Sequence, residues 1–248
     1  MATTTAEFQS RLDDLRARLV EQGNLVQEIV EAAFECVYDR DGDRAETLLD
    51  MDDRVDEADL AIERSAVALL GDATRDGCSL EESQLRAVLT AVKVNNELER
   101  IADGATAIAE RVVGLGDRET RFPKTTRVLT NSVVGIIHET VKCYGTLDPV
   151  GARAVLASEE AVLNFNQIIL RDAELRVADG RMTADLAFDL HEIVSQAVLM
   201  ADHCTNIAEQ VIYAATGAVV RHREGAWKDI DVATGGGARE SGAGGGAG

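Results

Sequence analysis

The chain is predicted to be all-α, folding as two tandem three-helix bundles, and three observations carry that prediction. Residues 95–113 laid over 194–212 match at seven of nineteen positions, all within Ala102–Val112 and Ala201–Val211. A repeat of this kind means that one unit is built twice. Within the first copy, Leu98, Ile101, Ala102, Ala105, Ile108, Ala109 and Val112 recur at steps of three and four, the spacing of one helix face. The composition agrees: aromatics make up only 4% and the prolines are two, at 123 and 149. A chain of 248 residues can bury two small aliphatic cores.

Each helix follows from its own pattern. Phe8, Leu12, Leu15, Leu19, Val26, Ile29, Val30, Ala33 and Val37 keep a helical beat over residues 6–38, with Gly23 a mild interruption. Residues 39–43 form a turn. Asp39, Asp41 and Asp43 alternate as in a calcium loop, but Arg44 occupies the position that loop reserves for glycine. Asp43 with Glu46 three residues on reads instead as the cap of a second helix, over about 44–71. Val55, Ala58, Ile62 and Leu69 are its apolar side. The run Asp76–Ser79 stops it, and Ser79 with Glu82 caps a third helix that fades at Gly114 and Gly116.

Residues 115–123 link the halves. Pro123 fits the first turn of a fourth helix, where its missing N–H costs nothing, and that helix runs to about Leu147. Asp148–Pro149 caps and starts a fifth helix reaching Ala178. Thr183 opens a sixth, which carries the second motif copy and ends near Gly217. The expected organisation is a first bundle over 1–116, a second over 117–220 and a disordered tail over 221–248. Glycine as dense as that of the tail cannot bury enough surface to offset its ordering entropy. Trp227 is expected to be a loose anchor on the second bundle.

Charge narrows the partners. Forty-four acidic residues against 25 basic ones leave a net charge of −19, and only four of the basic residues are lysine. Such a surface argues against nucleic acid and anionic lipid as direct partners. Acidity with little lysine suits a halophilic source, where salt screens self-repulsion. The four cysteines show no CxxC spacing, so neither disulfides nor a zinc knuckle is expected. There is no signal-like N-terminus and no apolar run long enough to cross a bilayer, so a cytoplasmic location is expected.

Two acidic stripes lie beside the packing faces. One is Asp52, Asp56, Asp59 and Glu63 on the second helix; the other is Glu99, Asp103 and Glu110 on the third. Carboxylates four apart on a helix repel by a few tenths of a kcal/mol, so such stripes call for cations, hydrogen bonds or water. In so acidic a chain they also serve simply as a solvated face.

The stretches ELERIADGATAIAE (97–110) and ADHCTNIAEQVIY (201–213) resemble the paired signature of the PhoU family, regulators of phosphate uptake in bacteria and archaea. The resemblance covers roughly residues 8–220 and, with the acidic composition, suggests a halophilic archaeal member. It implies the two-bundle fold, a homodimer, and contact with the ATPase subunit of a phosphate ABC transporter, with uptake blocked when phosphate is plentiful. In bacteria it also implies contact with a sensor kinase. Some members hold iron or zinc clusters on E/D-x-x-x-D pairs. Carried over, that pattern implies a divalent metal at Asp52, Asp56, Asp59, Glu99 and Asp103, hard oxygen donors on facing helices. The second bundle departs from it. Val198 stands where Glu99 stands in the first, and only Asp202 and Glu209 survive well, so one ion at most is expected there.

An enzyme is not expected. His191–Glu192 and His138–Glu139 both fail the HExxH pattern, and no Glu-x-x-His occurs, which removes the di-iron oxidase pattern. The alternatives are a carboxylate-bridged metal enzyme or a metal-storage or scaffold protein. His203 projects about a hundred degrees away from its neighbour Asp202 on the helix, and is expected to pack between helices rather than to bind metal.

Overall fold

A computed structural model describes residues 4–39, 41–115, 122–223 and 226–230. Three long helices come first: α1 (Thr5–Asp39), α2 (Gly42–Asp76) and α3 (Glu82–Leu115). Then follow α4 (Lys124–Thr146), α5 (Pro149–Ala157), α6 (Glu159–Ala178) and α7 (Ala184–Thr216). A hairpin of β1 (Val219–Arg223) and β2 (Ala226–Ile230) closes the described chain. The first three helices pack on one another, and α4–α7 form the second bundle. Two tandem bundles are thus present, as the repeat predicts.

The bundles are joined along two seams, α3 against α7 and α1 against α4. The motif helices run antiparallel. Glu97 meets His203, Gly104 meets Gln196 and Met200, and Arg111 meets Asp189. Shifting Glu97 and His203 each by the ninety-nine-residue repeat gives Gln196 and Gly104, which also touch. The repeat is therefore seated on an approximate two-fold axis at the middle of this seam.

The outer seam is built the same way. A Cβ on Gly23 of α1 would lie 2.7 Å from Val141 of α4, and one on Gly145 of α4 would lie 3.1 Å from Val20 of α1. Each helix seats a valine in the other's glycine notch. Gly23 is thus the close-approach point of two helices rather than an interruption, because only a residue without a side chain leaves room for the facing valine.

The central helices carry the core. Ile101, Ile108, Leu186 and Ile193 are at most 1% exposed, and α1 adds Phe8, Leu19 and Ile29 at 0%. One contiguous cluster runs through both bundles, so they share a core across the seams.

Local details depart from expectation. Asp41, not Asp43, caps α2, accepting from Arg44 N at 2.9 Å. Gln84 reaches back to Glu81 N at 3.0 Å, so the reach-back half of the box expected at Ser79 and Glu82 forms two residues later. Pro123 is the N-cap of α4 rather than its first helical residue. The caps at Asp148 and Thr183 form as expected.

The expected fifth helix is two. It breaks at Ser158, whose hydroxyl donates to Val155 O at 2.6 Å and competes for the carbonyl that the helix ladder needs. Both pieces pack on α7, so together they take the place of one helix.

The start of the expected tail forms a hairpin. β1 and β2 pair antiparallel, Val219 opposite Ile230 and Arg223 opposite Ala226. β1 packs on α7, and Val220 is fully buried. Trp227 falls on β2 opposite His222. Residues 231–248 lie outside the described residues, as does most of the 115–123 link.

Candidate functional site

The two acidic stripes meet because α2 and α3 run antiparallel. Asn95 of α3 stands beside Asp59 of α2, while Asp103 and Thr106 stand beside Asp52. Five of the six carboxylates expected from the sequence to hold metal therefore share one patch: Asp52, Asp56, Asp59, Glu99 and Asp103. Asp52, Asp59 and Glu99 are half-buried, Asp56 and Asp103 exposed.

The patch is electrostatically strained. Burial raises the carboxyls of Asp52, Asp59 and Glu99 above their ordinary range. Like charge raises them further: Asp56 and Asp103 act on Asp52, Glu63 and Asp56 on Asp59, and Asp103, Asp59 and Asp56 on Glu99. The Thr106 hydroxyl at Asp52 and the Arg100 charge at Glu99 pull the other way.

Asp59 is engaged elsewhere. The buried Asn95 donates through Nδ2 to the Asp59 carboxylate and, at 3.1 Å, to its main-chain carbonyl. Among the described residues, no group of three or more histidine, cysteine, aspartate or glutamate side chains is arranged to hold a metal ion. The oxygen donors suit a hard cation in chemistry, but their present rotamers do not converge on one point.

Asp202 does not join the patch. It is exposed on α7, and the carboxylate its charge acts on is Glu209. Burial raises Glu209, and Arg221 of β1 lowers it through an ion pair. Sequence reasoning could not supply this partner, because Arg221 lay in the expected tail.

Glu97 was also missed as a site residue. His203 Nδ1 donates to its Oε2 at 2.7 Å and Asn206 Nδ2 donates to the same oxygen at 3.2 Å. His203 therefore joins the bundles, pointing away from Asp202 as its helical position requires. Burial raises the Glu97 carboxyl, but the bonds from His203 and Asn206 outweigh it and hold the group below its ordinary value of 4.5. A depressed carboxyl contributes stability above the unfolded value and loses it as pH falls through the folded one. Glu97→Gln is expected to cost about 1.5–3 kcal/mol at pH 7, the range for a hydrogen bond to a charged group. Urea unfolding at neutral pH and well below 4.5 should show the gap between variant and parent closing in acid; a gap independent of pH would contradict this account.

The model of the PhoU domain matches residues 19–112 and again 127–211, one match in each bundle. The chain is similar to the phosphate-specific transport system accessory protein PhoU homolog of Pseudomonas aeruginosa, 26% identical over 219 residues, covering 87% of this chain and 88% of the relative. It is similar to the PhoU homolog 1 of Thermotoga maritima, 27% identical over 212 residues, covering 85% and 89%. In fold it resembles the crystal structure of PhoU from Pseudomonas aeruginosa, with a TM-score of 0.78 at 24% identity over 85% of this chain and 99% of that one. The phosphate transport system regulatory protein PhoU from Streptococcus pneumoniae gives 0.79 at 19% identity, over 87% and 100%.

Proposed function

The chain belongs to the PhoU domain family, and from that premise we propose that it is a non-enzymatic regulator of phosphate uptake, accessory to a phosphate ABC transporter. The observation that carries this reading is the pair of domain matches, one per bundle, with relatives named as transport-system accessory proteins that the chain covers almost end to end. It acts by contact: an acidic helical surface docks on the transporter's ATPase subunit and restrains uptake when phosphate is plentiful. A net charge of −19 favours a basic partner face. In organisms that have one, a phosphate-sensing kinase is a second partner. No helix among the described residues is long and apolar enough to cross a membrane. A homodimer is part of this reading, supported by Leu60 and Val67 on α2 and Leu85 and Leu89 on α3, which are all exposed.

Purification from phosphate-replete cells in high-salt buffer, with mass spectrometry of what accompanies the protein, tests the proposal. Recovery of the transporter's ATPase subunit is the expected result. Its absence, with phosphate uptake unchanged on deletion of the gene, would overturn the reading.

A divalent metal at the first bundle belongs to the same proposal. Asp52, Asp56, Glu99 and Asp103 would hold it, and its charge would relieve the repulsion that raises Asp52 and Glu99. Asp59 would join only by leaving Asn95. Binding to the native state at a hundredfold excess over Kd stabilises by about 2.7 kcal/mol. Manganese or iron(II) added to metal-free protein should therefore raise Tm by about 5–10 °C. Asp52→Asn with Glu99→Gln should abolish that rise, whereas Asp202→Asn should keep it. An equal loss in both variants would place the metal elsewhere.

A further inference from the structure

A cavity of about 600 Å³ opens where three helix ends meet. Tyr38 comes from the end of α1, Lys124 and Arg127 from the start of α4 and Arg176 from the end of α6, with Phe122 and Pro123 completing the wall. In a chain of net charge −19, three cations around one cavity run against the general surface.

Their pairing is incomplete. Arg176 Nε donates to Asp172 at 2.9 Å, which offsets its charge. Among the described residues neither Lys124 nor Arg127 belongs to an ion pair. The Arg127 guanidinium lies 4.1 Å from the Tyr38 ring centre, and the Tyr38 hydroxyl bonds Thr130 at 2.7 Å, so both side chains are held in place. Stacking uses the face of a guanidinium and leaves its N–H edge for an anion. Glu31 and Glu35 flank Arg127 and Tyr38 in a separate cavity, and Glu35 is paired with Arg44. Pro123, the N-cap of α4, gives that helix end no side-chain cap, and the negative ends of α1 and α6 at the same cavity offset its positive one, so the side-chain cations carry the site.

We propose that this cavity binds a nucleoside phosphate, the phosphate on Lys124 and Arg127 and the ring system against the aromatic wall. A volume of about 600 Å³ exceeds what inorganic phosphate fills and falls within the range of small-molecule sites, about 300–1,000 Å³. Aromatic and proline walls beside charged ones fit a ligand that has both a ring and an anion. The proposal is independent of the transporter reading, and its failure would leave that reading untouched.

Calorimetric titration of the full chain with AMP, adenosine and inorganic phosphate, at matched ionic strength, tests it. AMP should bind about tenfold or more tighter than either of the others, and Lys124→Gln and Arg127→Gln should each weaken it about tenfold. Lys124 is exposed, so Lys124→Gln should melt as the parent does and serves as the check if Arg127→Gln disturbs the Tyr38 stack. Phosphate binding as tightly as AMP, no AMP binding up to millimolar concentration, or AMP binding unchanged in Lys124→Gln and Arg127→Gln would each overturn the proposal.

Discussion

Replacing Gly23 with leucine is expected to destabilise the protein by about 3 kcal/mol, the upper part of the usual range for overpacking a core. The Cβ alone would lie 2.7 Å from Val141 Cγ2 and 3.0 Å from Cγ1, so α1 and α4 must separate or Val141 must move. Val141 is 6% exposed and has little space to move into. Alanine at 23 is a finer probe, because helix propensity favours it over glycine by about 1 kcal/mol and partly offsets the clash. Gly23→Ala with Val141→Ala should recover most of the loss caused by Gly23→Ala, a coupling readable in a double-mutant cycle of urea unfolding. Additive effects, or a leucine variant as stable as the parent, would mean that the notch is not a packing constraint.

Ile101→Ala is expected to cost about 3–4 kcal/mol, within the range for truncating a fully buried isoleucine. Ile101 is 0% exposed on α3, which packs against α1, α2 and α7 and so belongs to both bundles. Because the core is one cluster, the lost methyl groups should weaken both halves together. Calorimetry should show a single transition moved to lower temperature. Two separated transitions in the variant would mean that the bundles melt independently and that the α3–α7 seam carries little of the stability.

Much of this architecture is legible in the residues. The apolar beat of residues 6–38, the stops at Gly77 and Gly217 and the caps at Asp148 and Thr183 are local signals, and local signals survive into the fold. Where several side chains compete for one role, the sequence is weaker. Asp39, Asp41 and Asp43 could all cap α2, and the choice of Asp41 depends on where the chain leaves α1. Ser158 has an unremarkable helical neighbourhood, and its competing bond to Val155 is apparent only in the folded chain.

The candidate site divides in the same way. Helical spacing places Asp52 with Asp56 and Glu99 with Asp103, because residues four apart share a face. That the two pairs meet depends on the antiparallel docking of α2 on α3, and that Asp59 turns to Asn95 depends on a buried amide needing a partner. The pairing of Glu97 with His203 across 106 positions and of Glu209 with Arg221 has no local signature. The basic cavity is further still from the sequence, because Tyr38, Lys124 and Arg176 are scattered along the chain and only three helix ends bring them together.

By itself the sequence determined the helices, their number to within the break at Ser158, the internal repeat and the resemblance to one family, because periodicity, capping and self-similarity are written in neighbouring residues. The tertiary structure alone decided how the repeats are joined: antiparallel, through Gly104 and Met200 at the centre and through valine-in-glycine notches at the flank. The physical reason is that close packing depends on the shapes of two surfaces at once. A glycine in one helix is a defect or a socket according to the side chain that arrives opposite it.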